Sequence, residues 1–143
     1  MTTDAAPALR VTTAAEVRCN TEALGLNVAY LAKRWDRTES RVQGILRGGP
    51  QPIPDWLAED LHAMITDTEE RLETLIDGLN PGDDLAVYRT DTEYRNDLGN
   101  DAPYNCRWHR MLCARAAAEV DVRLVYAVAP KGVANPAEGD GVV

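Results

Sequence analysis

The sequence has no phenylalanine, only two histidines and only three cysteines in 143 residues. Cys19, Cys106 and Cys113 are odd in number and spread through helical-looking stretches, so a disulfide-stapled secreted domain is not expected and a reducing compartment is. No apolar run approaches the ~20 residues that a membrane span requires, and residues 1–7 lack both a basic start and an apolar core. The chain is therefore expected to be soluble and cytoplasmic, with no membrane association.

Catalytic groups are equally scarce. There is no nucleophile with a matching base, no glycine-rich phosphate loop and no paired carboxylate in a recognisable context, so no enzyme is expected. Cys106, His109 and Cys113 would share a helix face, but structural zinc needs four ligands and no fourth is nearby. These residues are expected to pack rather than bind metal, and no cofactor is expected. His62 is read as a surface residue, and Trp35, Trp56 and Trp108 as core anchors.

What the chain does have is an uneven charge distribution. The net charge of −8 argues against a nucleic-acid partner. Yet residues 1–48 carry a net +2 and residues 49–143 a net −10. Lys33, Arg34, Arg37, Arg41 and Arg47 crowd one short stretch.

Periodicity predicts a mainly α protein with a small β component. Residues 1–11 read as a flexible arm, 12–79 as a helical domain, 80–129 as an α+β region and 130–143 as a disordered tail. Thr13 and Glu16 have capping-box spacing ahead of Val17, Thr21 and Leu24, and Gly25 follows as a stop. Asn27 can cap a second helix burying Val28, Leu31, Ala32 and Trp35. Thr38 can cap a third, burying Val42, Ile45 and Leu46 and leaving Glu39, Ser40, Gln43 and Gly44 outside.

Pro54 suits the first turn of a long fourth helix. Its seam is Leu57, Leu61, Ile65, Thr68, Leu72, Leu75 and Leu79. Beyond it, 85–90 and 122–128 read as strands able to pair, with a helical turn at 92–97 and a helix over 105–120 between them.

Two short helices joined by a three- to four-residue turn, the second with a polar outer face, suit a major-groove reader. Gly25, Leu26 and Asn27, then Leu31, Ala32, Lys33 and Arg34, then Val42, Ile45, Arg47 and Gly48 carry a resemblance to the lambda-repressor-like (Xre) helix-turn-helix class. Ile53, Pro54 and Asp55, the leucine-rich helix and Trp108 extend it loosely to the YdiL-like and anti-CRISPR-associated repressor subgroup. The pattern departs from the class at Val28, where a glutamine contact is usual, and at Asp36 and Arg37, where a turn glycine and a small apolar residue stand; Asp36 is expected to alter the turn.

The resemblance implies a transcription regulator, a repressor of a phage or mobile element, bound to a duplex operator with an inverted repeat. Glu39, Ser40, Gln43 and Gly44 would face bases, and Asn27, Lys33, Arg37, Thr38, Arg41 and Arg47 phosphates, with guanine the alternative for Arg41. Gln43 has the chemistry to pair bidentately with adenine, and Glu39 to accept from a cytosine amino group. A homodimer through the C-terminal region is expected, with Leu72, Leu75, Leu79, Val125 and Tyr126 at its interface. The competing reading is a protein-interaction module such as an antirepressor or antitoxin, with a protein partner in place of DNA.

Overall fold

A computed structural model describes residues 10–127. Residues 1–9 of the expected arm and the expected 130–143 tail lie outside the described residues. The fold is mainly α with a small β component: six helices and a two-stranded sheet among the described residues. The chain divides into two compact units on either side of the Gly78–Leu79 bond.

Unit 1 holds α1 (Ala14–Ala23), α2 (Val28–Trp35), α3 (Glu39–Arg47) and α4 (Asp55–Asp77). Local chemistry sets each start. Thr13 Oγ accepts from the Glu16 N–H at 3.1 Å while the Glu16 carboxylate accepts from the Thr13 N–H at 3.1 Å, completing the capping box. Asn27 Oδ1 accepts from the Tyr30 N–H, and Thr38 Oγ accepts from the Arg41 N–H. Pro54 is the N-cap of α4 and lies just outside the first turn.

The first two helices end alike. Leu26 N–H donates to the Thr21 carbonyl and Gly25 N–H to that of Glu22, with Gly25 at φ 77°. Arg37 N–H donates to the Ala32 carbonyl and Asp36 N–H to that of Lys33, with Asp36 at φ 53°. Both are Schellman stops. Asp36 thus adopts the left-handed conformation that glycine enters most readily.

The core of this unit gathers Val17 and Thr21 from α1 with its C-cap Leu24, Leu31, Ala32 and Trp35 from α2, Val42 from α3, and Leu57, Leu61 and Met64 from α4. Met64 was not in the expected seam, whose Ile65 is only half-buried. Val28, Ile45 and Leu46 are also half-buried. Val11 is 3% exposed, so the core begins inside what the sequence suggested was a loose arm.

An ion pair links α2 to α4. Arg34 donates twice to the Asp60 carboxylate, at 2.8 and 2.9 Å, and the Trp35 indole N–H donates to it at 2.7 Å. Arg34 holds the Asp60 carboxyl below its ordinary pKa against the opposing effect of burial. Trp56 departs from the core-anchor expectation. It is 38% exposed, edge-on to Trp35 and capped by the Arg37 guanidinium.

Unit 2 holds β1 (Asp84–Val87), α5 (Asp91–Leu98), α6 (Cys106–Glu119) and β2 (Arg123–Tyr126). The strands pair in parallel, Asp84 with Arg123 through Val87 with Tyr126, so both helices belong to the crossover. β1 is shorter than the expected 85–90 strand because Thr90 caps α5, its Oγ accepting from the Glu93 N–H at 3.1 Å. The single helical turn expected at 92–97 is a helix of eight residues. β2 covers 123–126 of the expected 122–128, of which residue 128 is not described.

Candidate nucleic-acid interface

Three residues, 36–38, separate α2 from α3, and the left-handed Asp36 makes that short connection possible. Val42, fully buried, pins the inner face of α3. The opposite face carries the residues expected to read bases: Glu39, Ser40 and Gln43 are exposed and Gly44 half-exposed. No hydrogen bond or ion pair inside the chain engages the side chains of Glu39, Ser40 or Gln43 among the described residues.

Gly44 is the least expected of these by intrachain physics. A Cβ built on it meets nothing within 4 Å. A mid-helix glycine costs roughly 1 kcal/mol relative to alanine, and no packing within the chain offsets that cost. Gly48 differs: it closes α3 at φ 84°, and a Cβ there would lie 3.3 Å from the Ala14 Cβ.

The basic residues separate into two sets. Lys33, Arg41 and Arg47 are exposed, with no side-chain partner inside the described chain. Arg34 is committed to Asp60. Arg37 donates to the Trp35 and Asp36 carbonyls at 3.0 Å and stacks 4.7 Å from the Trp56 ring centre, so a phosphate would compete with existing contacts. Sequence reasoning missed this, because nothing local marks Trp56 as the ring beneath Arg37. Asn27 and Thr38 both serve as caps.

A groove of about 670 Å³ runs beside α3, between the start of α1 and the 49–54 connection. Ala14, Ile45, Ile53 and Pro54 give it apolar walls, and Thr13, Ser40 and Arg41 give it polar ones. The helical face and the groove form a surface with hydrogen-bonding groups, two unpaired guanidinium side chains and open space at Gly44. Such a surface can donate to phosphate oxygens and exchange hydrogen bonds with base edges.

The expected dimer residues are differently placed. Leu72 is 8% exposed, so little of it is left for a partner, while Leu75, Leu79 and Val125 are half-buried. Tyr126 is 54% exposed. Only the last offers a large apolar surface to solvent, and the Arg89 guanidinium lies 4.2 Å from its ring centre.

Unit 2 also holds the sulfur and imidazole groups. Cys113 Sγ lies 3.7 Å from His109 Nε2 and 3.8 Å from Nδ1, and Cys106 Sγ faces Arg110 at 3.3 Å. Cys113 has no exposed surface, and burial pushes its thiol pKa up to about 12. An activated thiol requires the opposite shift. Tyr88 and Tyr94 flank the His109 ring at 5.5 and 5.2 Å between centres, which accounts for the cluster as packing. No group of three or more His, Cys, Asp or Glu among the described residues is placed to hold a metal ion. None of their helices is long and apolar enough to cross a membrane.

No protein-family model matches this chain, and no curated protein matches it by sequence.

Proposed function

We propose that the protein is a sequence-specific regulator that binds duplex DNA, a homodimeric autorepressor that reads the major groove with α3 while α2 braces it. The supporting observation is the outer face of α3, where Glu39, Ser40 and Gln43 have no intrachain partner and Gly44 has no intrachain reason. Exposed Lys33, Arg41 and Arg47 flank that face with positive charge. Gln43 and Glu39 read base edges, and Arg41 and Arg47 meet phosphates.

The test is gel retardation with DNA from upstream of the protein's own gene, over non-specific competitor. Gln43→Ala and Glu39→Ala are expected to relax base preference by about 1–3 kcal/mol each and to leave non-specific binding nearly intact. Arg41→Ala and Arg47→Ala are expected to weaken binding to every sequence and to flatten its salt dependence. Unchanged selectivity in both of the first two variants would rule out the reading face.

The net −10 of residues 49–143 favours a second reading, a protein-interaction module of the antirepressor or antitoxin kind. Absence of DNA binding even at low salt would favour it.

A further inference from the structure

The sheet of unit 2 ends at β2, which pairs only with β1 among the described residues. Arg123 N–H donates to the Asp83 carbonyl and Ala127 N–H to the Val87 carbonyl, both at 2.9 Å. In a parallel ladder alternate residues address the same neighbour, so Arg123, Val125 and Ala127 direct their backbone groups at β1. Leu124 and Tyr126 direct theirs outward, to the open edge. These two residues are also 40% and 54% exposed, half of the four exposed large apolar side chains among the described residues. Being two apart on a strand, they share one face of the sheet.

We propose that β2 pairs antiparallel with β2 of a second copy about a two-fold axis at Val125, building a four-stranded sheet across the dimer. The inference rests on the homodimer part of the reading above and does not need DNA. In this register Leu124 stands opposite Tyr126 of the partner subunit. An antiparallel pair of that kind exchanges both N–H···O=C bonds, and the two-fold axis repeats the exchange, so every outward backbone group of Leu124 and Tyr126 is satisfied. Directly opposite side chains share a face, so the two exposed apolar residues cover each other.

The neighbouring register toward the N-terminus does worse. An axis at Leu124 sets Tyr126 against Val122, whose N–H already donates to the Val120 carbonyl at 2.8 Å. Charge also permits the pairing. Edge strands commonly block association with an unpaired cation. Here the charged residue of β2, Arg123, donates to the Asp84 carboxylate on β1 at 2.9 and 3.0 Å.

The full chain, without DNA, carries the test. At the axis, facing Val125 residues form a non-hydrogen-bonded pair with Cα atoms ~4.5 Å apart, within disulfide reach. In a Cys19→Ser background, Val125→Cys is expected to give a covalent dimer on mild oxidation at least tenfold faster than Leu98→Cys. Sedimentation equilibrium is expected to show a dimer that Leu124→Lys and Tyr126→Lys each weaken at least tenfold, while Leu98→Lys leaves it unchanged. All three positions are exposed, and far-UV circular dichroism checks the fold.

A monomer at every concentration overturns the proposal. So does a dimer indifferent to Leu124→Lys and Tyr126→Lys, or a chain that dimerises only when residues 128–143 are removed, since the edge would then be covered from within. A dimer of this form that binds no DNA removes the regulator reading alone. A monomer that binds an operator removes this inference alone.

Discussion

Asp36 and Gly44 each stand where another residue would be more stable, for different reasons. Asp36 occupies the left-handed region, where a side chain with a Cβ is strained and only a short polar one is tolerated. Asp36→Ala is expected to lower stability by about 1 kcal/mol, and Asp36→Gly to leave it equal or higher, as read by urea denaturation. Equal losses in both variants would place the importance of Asp36 in its carboxylate rather than its backbone.

At Gly44 the helix is ordinary and the space around it is open. Gly44→Ala is expected to raise stability by roughly 1 kcal/mol and, on the proposed reading, to weaken operator binding at the same time, because the added methyl would stand between α3 and the bases. A stabilised variant with unaltered affinity would show that nothing approaches this side of the helix.

Helix ends and sheet edges were unequally legible. The starts of α1, α2 and α3 could be read from Thr13, Asn27 and Thr38, because a cap and its target lie within three residues of each other. The clamp of Asp60 on Arg34 and Trp35 could not, since it joins residues on helices distant in sequence. Nor could the surroundings of His109 on α6, packed against Tyr88, Tyr94 and Cys113.

Those surroundings give α6 a pH dependence. Burial, with Arg110 adding to it, lowers the His109 pKa below 6.5 in the folded chain. A base whose folded pKa is depressed takes up its proton more readily when unfolded. Stability is therefore highest where His109 is neutral in both states, and it falls as pH drops through the unfolded value near 6.5 towards the folded one. Thermal melts between pH 7.5 and pH 5 are expected to show this loss, and His109→Gln to reduce its slope. An identical slope in that variant would assign the loss to carboxylates.

For the whole molecule the charge division matters most. Residues 1–48 are net +2 within a chain of net −8, so on the proposed reading DNA affinity would depend on what the acidic remainder contributes. A fragment ending at Gly78 keeps Leu57, Leu61 and Met64 of α4 in its core, whereas one ending near residue 51 would lose all three. The longer fragment is expected to be monomeric and to bind an inverted repeat ~100-fold more weakly than the full chain, through loss of the paired second half-site. Footprints of the full chain are expected to show half-sites whose centres lie about 10 base pairs or one further turn apart. Equal affinity of fragment and full chain in titrations on the same operator would exclude a role for the C-terminal unit in pairing.

By itself the sequence determined the fold class, the starts of α1, α2 and α3 and the outward set Glu39, Ser40, Gln43 and Gly44, all of which depend on spacings of three or four residues. It also indicated the left-handed stop at Gly25, since glycine alone enters that region without strain. The tertiary structure decided what depends on residues meeting from afar. Trp56 is turned out under Arg37, Arg34 is withdrawn to Asp60, Val11 enters the core, and β1 and β2 run parallel. Amphipathic period fixes which face of an element is apolar; which element covers that face is set by the packing of the whole unit.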